Sequence, residues 1–161
     1  MRIGILSDIH DNIWALETAL VTLKDADALV GLGDYCAPFT VAAIGEAFAR
    51  PVHLVWGNND GDKVAIVRNA APHSQITFHG EWARLELGGR TIALVHDPAM
   101  GEALAQGGRF DLVCHGHNHQ RSISKIGATL LVNPGEVMGR FGVRSVALYD
   151  TDAHEAEIIT F

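Results

Sequence analysis

Apolar residues recur along the chain with two different periods. Arg2 to Leu6 is a short, nearly continuous apolar run, the pattern of a strand covered on both faces. Behind it, Ile13, Trp14, Leu16, Leu20 and Leu23 fall at helical spacing, and Asp11 or Asn12 stands where an N-cap belongs. Ala28 to Leu32 and Val52 to Trp56 repeat the strand pattern, while Thr40 to Phe48 and Asp60 to Arg68 repeat the helical one. Strands alternating with helices in this way predict βαβ units around a largely parallel sheet.

The pattern changes after residue 70. Ile76 to Phe78, Trp82 to Leu87 and Thr91 to Val95 read as β segments, the last two joined through Gly88-Gly89, a dipeptide suited to the positive φ angles of a tight hairpin. Gly101 to Gln106 predicts a short helix and Phe110 to Cys114 a further strand. Arg121 to Ile126, Thr129 to Val132, Val143 to Tyr149 and Ala156 to Thr160 complete the strands. So many strands would overfill one flat sheet, so two packed sheets flanked by helices are expected. No linker or repeat divides the chain, and one domain over residues 1 to 161 is the expectation.

Composition narrows the partners. With 48% apolar and 19% charged residues the balance is globular, and a net charge of −7 repels nucleic acid and anionic lipid. There is no Lys/Arg cluster to form the footprint of phosphate-backbone binding, so no nucleic-acid partner is expected. No run of 18 apolar residues is present and the first residues lack a signal-peptide pattern, so no membrane partner is expected. Cys36 and Cys114 follow no metal or redox spacing, which fits a reducing, cytoplasmic setting without a structural disulfide.

The chemistry is concentrated where apolar runs end. RIGILSDIH, ALVGLGD, HLVWGNND, TIALVHD and LVCHGHNH each close on metal-competent side chains: Asp8 and His10, Asp34, Asn58, His96, and His117 and His119. Ligands collect at the carboxyl ends of strands in α/β sheets, so five such ends could face one crevice. If strand conformation continues through them, Asp8 and His10 project to one side, as do His117 and His119. Gly33, Gly57 and Gly116 adjoin these residues and permit sharp turns beside a crowded cation. The set mixes imidazole, carboxylate and amide without thiolate, which suits Mn, Fe, Zn, Ni or Co, manganese being favoured, over Ca or Mg. Two ions about 3.5 to 4 Å apart need a shared carboxylate, and Asp34 is its natural source.

In this order, DIH, GLGD, GNND, VHD and GHNH resemble the five motifs of the calcineurin-like metallophosphoesterase superfamily, and the later NPG resembles its small single-domain bacterial and archaeal phosphodiesterases. The resemblance implies a four-layer αββα sandwich of two mixed β-sheets flanked by helices. It implies one divalent ion on Asp8, His10, Asp34 and His119, and a second on Asp34, Asn58, His96 and His117. The implied activity is hydrolysis of a small phosphate ester, attacked in line by a metal-bridging hydroxide. Asn59 stands where the family pattern carries a histidine; it can donate a hydrogen bond but cannot transfer a proton. As a catalytic candidate it tilts the expectation toward diesters. A phosphomonoesterase or nucleotide pyrophosphatase, or a non-catalytic scaffold of the same fold, are the alternatives.

Other residues read more plainly. Asn12 is expected to cap a helix, His115 to pack or support the ligands, and Cys36 to behave as a small hydrophobe near the centre rather than a nucleophile. His53, His73, His79 and His154 are expected to be surface or structural histidines. Asp97, which replaces a glycine of the family pattern, has no assigned role. Arg140 is a solvent-exposed loop residue or a phosphate contact. A homodimer through an edge strand is compatible with the sequence and required by nothing in it.

Overall fold

The computed structural model describes residues 1–161. Eleven strands and four helices follow one another: β1 (Arg2–Leu6), α1 (Ile13–Thr22), β2 (Ala28–Gly31), α2 (Pro38–Ala47), β3 (Val52–Leu54), α3 (Lys63–Ala70), β4 (Ile76–Phe78), β5 (Trp82–Leu87), β6 (Arg90–Val95), α4 (Pro98–Gln106), β7 (Leu112–Cys114), β8 (Ser122–Ile126), β9 (Thr129–Asn133), β10 (Ser145–Asp150) and β11 (Glu155–Thr160). One sheet has the order β11-β10-β1-β2-β3-β4 and the other β5-β6-β7-β9-β8.

Both sheets are mixed. β1 to β4 run parallel, joined by α1, α2 and α3, and β10 adds antiparallel to β1. In the second sheet β6, β7 and β9 are parallel, with β5 and β8 antiparallel at the edges. The β5–β6 hairpin closes through Gly88 and Gly89, at φ 56° and 73°, the two left-handed positions that a two-residue turn of this twist demands.

Side-chain alternation along the strands builds the layers. Ile3 and Ile5 of β1 face the second sheet, meeting Ile92, Leu94, Leu112 and Val132 in a core between the sheets. Leu6, Leu29, Val52 and Leu54 face the other way, onto Leu16, Leu20, Val41, Ile44 and Ile66 of α1, α2 and α3. On the far side, Ala93, Val113 and Leu131 receive Ala105 of α4. The result is the four-layer αββα sandwich, with two mixed sheets between helices.

Three helix starts differ from expectation. α2 begins at Pro38, whose fixed φ suits a first helical position, two residues before Thr40. α3 begins at Lys63, not Asp60, because Asp62 is its N-cap, accepting from Ala65 N at 2.9 Å, while Asp60 turns inward. Asp97 caps α4 and starts it at Pro98, three residues before Gly101.

Candidate metal centre

The strands that end in polar residues all open toward one end of the sandwich, and hydrogen bonds tie the two sheets there. His96 Nδ1 donates to Leu32 O at 2.6 Å, and Val137 N and Met138 N donate to Ser7 O and Asp8 O. The chain meets the site by leaving the strand conformation. β1 stops at Leu6 and β7 at Cys114, so strand parity does not aim the ligand pairs, contrary to expectation. Asp8 (φ 54°), His10 (45°), Asp34 (57°), His117 (72°) and His119 (59°) all adopt left-handed backbone. Such φ values are uncommon outside glycine, and their concentration on five neighbouring polar residues marks a functional loop cluster.

Those turns bring together the residues singled out by the motifs. His10 Nε2 lies 3.3 Å from Asp34 Oδ2 and 3.9 Å from Asp8 Oδ1. His119 Nε2 lies 3.5 Å from Asp8 Oδ1, and His96 Nε2 3.5 Å from Asp34 Oδ2. Asn58 Oδ1 sits 2.9 Å from His96 Nε2 and 2.8 Å from His117 Nδ1. Two clusters, Asp8–His10–His119 and Asp8–Asp34–His96, could each hold a metal ion. Asp8 is common to both clusters, whereas the Asp34 oxygen is the atom lying between His10 and His96; two carboxylates thus span the pair of sites.

The donor set fits divalent ions. Ligands at about 2.0–2.2 Å from a metal lie roughly 3.0–3.4 Å from one another in octahedral or tetrahedral shells, and the spacings above, from 2.8 to 3.9 Å, bracket that range. Asp8 Oδ1 and His10 Nε2 are buried with no hydrogen-bond partner, a costly arrangement for groups this polar unless a cation answers them. Asp8 is fully buried and Asp34 nearly so. Burial alone would raise the Asp34 pKa, but hydrogen bonds from His96 and Asn59 hold its carboxyl well below the usual range. His96 titrates above its ordinary value: burial works against its charge, and the bond to Asp34 with the negative charges of Asp34 and Asp8 outweighs it.

A second ring of residues fixes these ligands, and the sequence reading passed over two of its members. Glu136 Oε2 accepts from His119 Nδ1 at 2.8 Å, leaving Nε2 turned toward Asp8. Asp60 accepts four backbone N–H groups, from Gly57, Asp34, Tyr35 and Cys36, and so welds the loop after β2 to the loop after β3. The acidic fourth position of GNND and the glutamate following NPG were the available signals. Gly57 and Gly116 are close-approach positions: a Cβ on Gly57 would overlap the Asp34 carboxylate, and one on Gly116 would overlap Ser7 Oγ.

Asn59 donates its backbone N–H to Asp34 Oδ1 and its amide to Asp34 Oδ2, each at 2.8 Å, so both oxygens of that carboxylate are held. Asn12 caps α1 through Ala15 N and also donates to Met138 O. Asp11 accepts from Ala37 N and Thr40 Oγ instead. His115 is buried beside Asn133 and Gly101. Cys36 Sγ lies 3.5 Å from His10 Nδ1, and burial with nearby carboxylates pushes its thiol up to about 12, far from a thiolate nucleophile. Arg140 is exposed and lies over the Phe141 ring, whose edge-on partner is His119. His53 and His79 bond to each other, and His73 packs on Gly45. His154 bonds to Tyr149.

Comparison with known proteins agrees with this picture. The model of the calcineurin-like phosphoesterase superfamily domain matches residues 1–154. A phosphodiesterase of Methanocaldococcus jannaschii is 24% identical over 160 residues, 96% of each chain. The structure of an archaeal phosphodiesterase superposes with a TM-score of 0.92 at 23% identity, over 100% of both chains. The vacuolar protein sorting protein 29 of Entamoeba histolytica, crystallised with zinc, gives 0.68 at 16% identity over 99% of both chains. No helix is long and apolar enough to cross a membrane.

Proposed function

Because the chain belongs to the calcineurin-like phosphoesterase superfamily, we propose that it hydrolyses small phosphodiesters with two divalent ions, one on Asp8, His10, Asp34 and His119, the other on Asp34, Asn58, His96 and His117. The observation that carries this reading is the unpartnered pair of buried atoms, Asp8 Oδ1 and His10 Nε2, set among imidazole and carboxylate groups aimed at the same space. When bound, the ions supply a nucleophile at neutral pH and neutralise phosphoryl charge as Lewis acids. The chain does the positioning. Asp34 stays ionised under two hydrogen bonds from Asn59, and His96 and His119 are each held by one nitrogen so that the other faces the site.

Asn59 has no proton to give, so a departing group leaves without acid assistance from this position. That favours diesters, in line with the name of the M. jannaschii relative. Manganese is the favoured ion on a set of nitrogen and oxygen ligands without thiolate. The reading places the enzyme in the cytoplasm with both cysteines reduced, and it leaves edge strands through which a second copy could pair. A net charge of −7 argues for a small ester over a nucleic-acid backbone.

The test is chelation followed by manganese add-back, with bis(4-nitrophenyl) phosphate and 4-nitrophenyl phosphate assayed side by side. Hydrolysis lost on chelation, restored by metal and faster for the diester is the expected result. Turnover indifferent to chelation overturns the metal reading, and a preference for the monoester replaces diesterase with phosphatase.

A further inference from the structure

We propose that a cavity opening beside Asn58, His96 and His117 is the subsite for an organic substituent of the ester, and that it selects an uncharged aromatic group; the proposal rests on the phosphodiesterase reading. The cavity measures about 270 Å³. Pockets for drug-sized ligands begin near about 300 Å³, so this one suits a single ring system. The three ligand residues form the wall nearest the metals, which sets a substituent in the cavity directly beside a phosphate at the centre.

The remaining walls are apolar or acidic. Trp56, 8% exposed, lines it, and its plane is fixed by stacking on Phe78 at 4.3 Å and by the Lys63 ammonium 5.3 Å from the ring centre. Val95 and Met100 complete the apolar surface, Met100 being 39% exposed and able to adapt its thioether to a ring. Glu81 and Asp97 also line it; Glu81 is paired with Lys63 Nζ at 2.9 Å, and Asp97 caps α4. No lysine or arginine lines the cavity, so it has nothing with which to hold a second phosphate or a carboxylate.

Calorimetric binding of diphenyl, dimethyl and bis(4-carboxyphenyl) phosphate to the manganese-reconstituted protein tests this, together with the KM for bis(4-nitrophenyl) phosphate. Diphenyl phosphate is expected to bind about tenfold or more tightly than either of the others. Met100→Ala is expected to narrow the diphenyl-to-dimethyl ratio about fivefold and to raise KM without a matching fall in kcat. Equal affinities for the three, or a ratio unmoved by Met100→Ala, overturn the subsite. A protein that takes up metal and hydrolyses no diester overturns the diesterase reading instead, and the binding preference then still decides whether the cavity receives a ring.

Discussion

Glu136 Oε2 lies 2.8 Å from His119 Nδ1, and both the carboxylate and the imidazole are well shielded from solvent. That contact fixes the tautomer of His119, because a nitrogen that donates to a carboxylate leaves its partner nitrogen as the lone pair. The other glutamate oxygen accepts from Phe141 N at 2.7 Å, so the carboxylate cannot swing away. Glu136→Gln is expected to weaken metal binding by about tenfold or more. Competition titration against a chelator measures it, and an unchanged affinity would show that His119 needs no help to face the site.

Asp60 holds four backbone amides within the two loops that carry Asp34 and Asn58. Removing the acceptor strands several buried N–H groups, each costing about 1–3 kcal/mol unless water reaches it. Asp60→Ala is expected to cost about 3 kcal/mol or more in urea denaturation, with Asp60→Asn intermediate because one oxygen remains. Wild-type stability in the alanine variant would mean that the amides find other partners.

His53 Nδ1 in β3 and His79 Nε2, just after β4, are 3.0 Å apart. Burial lowers the pKa of both, and for His53 the neighbouring His79 lowers it further. The unfolded chain therefore binds protons first as pH falls. Stability from this pair is fully present above the unfolded value of about 6.5 and is lost as pH drops through it toward the depressed folded values. Melting temperatures of the metal-free protein between pH 7.5 and 5 should fall less steeply in His79→Gln than in wild type. Identical slopes would assign the acid sensitivity to other groups.

Asn59 spends its amide on Asp34, and a histidine in its place would bring a transferable proton to the same edge of the site. Asn59→His is expected to raise turnover of 4-nitrophenyl phosphate relative to bis(4-nitrophenyl) phosphate. Paired kinetics on one preparation give the ratio, and no change in it would remove this position from the choice between monoesters and diesters.

Much of the architecture was legible because burial on both faces leaves an unambiguous apolar run, as in β1, β2 and β6. The Gly88-Gly89 hairpin was equally plain. Helix starts were less so: Pro38 at a first helical position and the N-caps Asp62 and Asp97 are local choices that apolar periodicity cannot see. At the centre, motif order named residues that do converge, but the reason differs from the one spacing suggested. Asp8 and His10 meet the others through left-handed turns after the strand has ended, and backbone of that kind leaves no periodic trace. Glu136 and Asp60 were hidden for another reason, since a carboxylate that orients a ligand looks, in sequence, like any loop acid.

Whether a pair of cations shares a carboxylate here is tested most directly by anomalous diffraction from crystals grown with manganese. Two peaks about 3.5–4 Å apart, flanking Asp34 with His119 on one and His117 on the other, are the expected result. A single peak, or manganese bound away from these side chains, would contradict it.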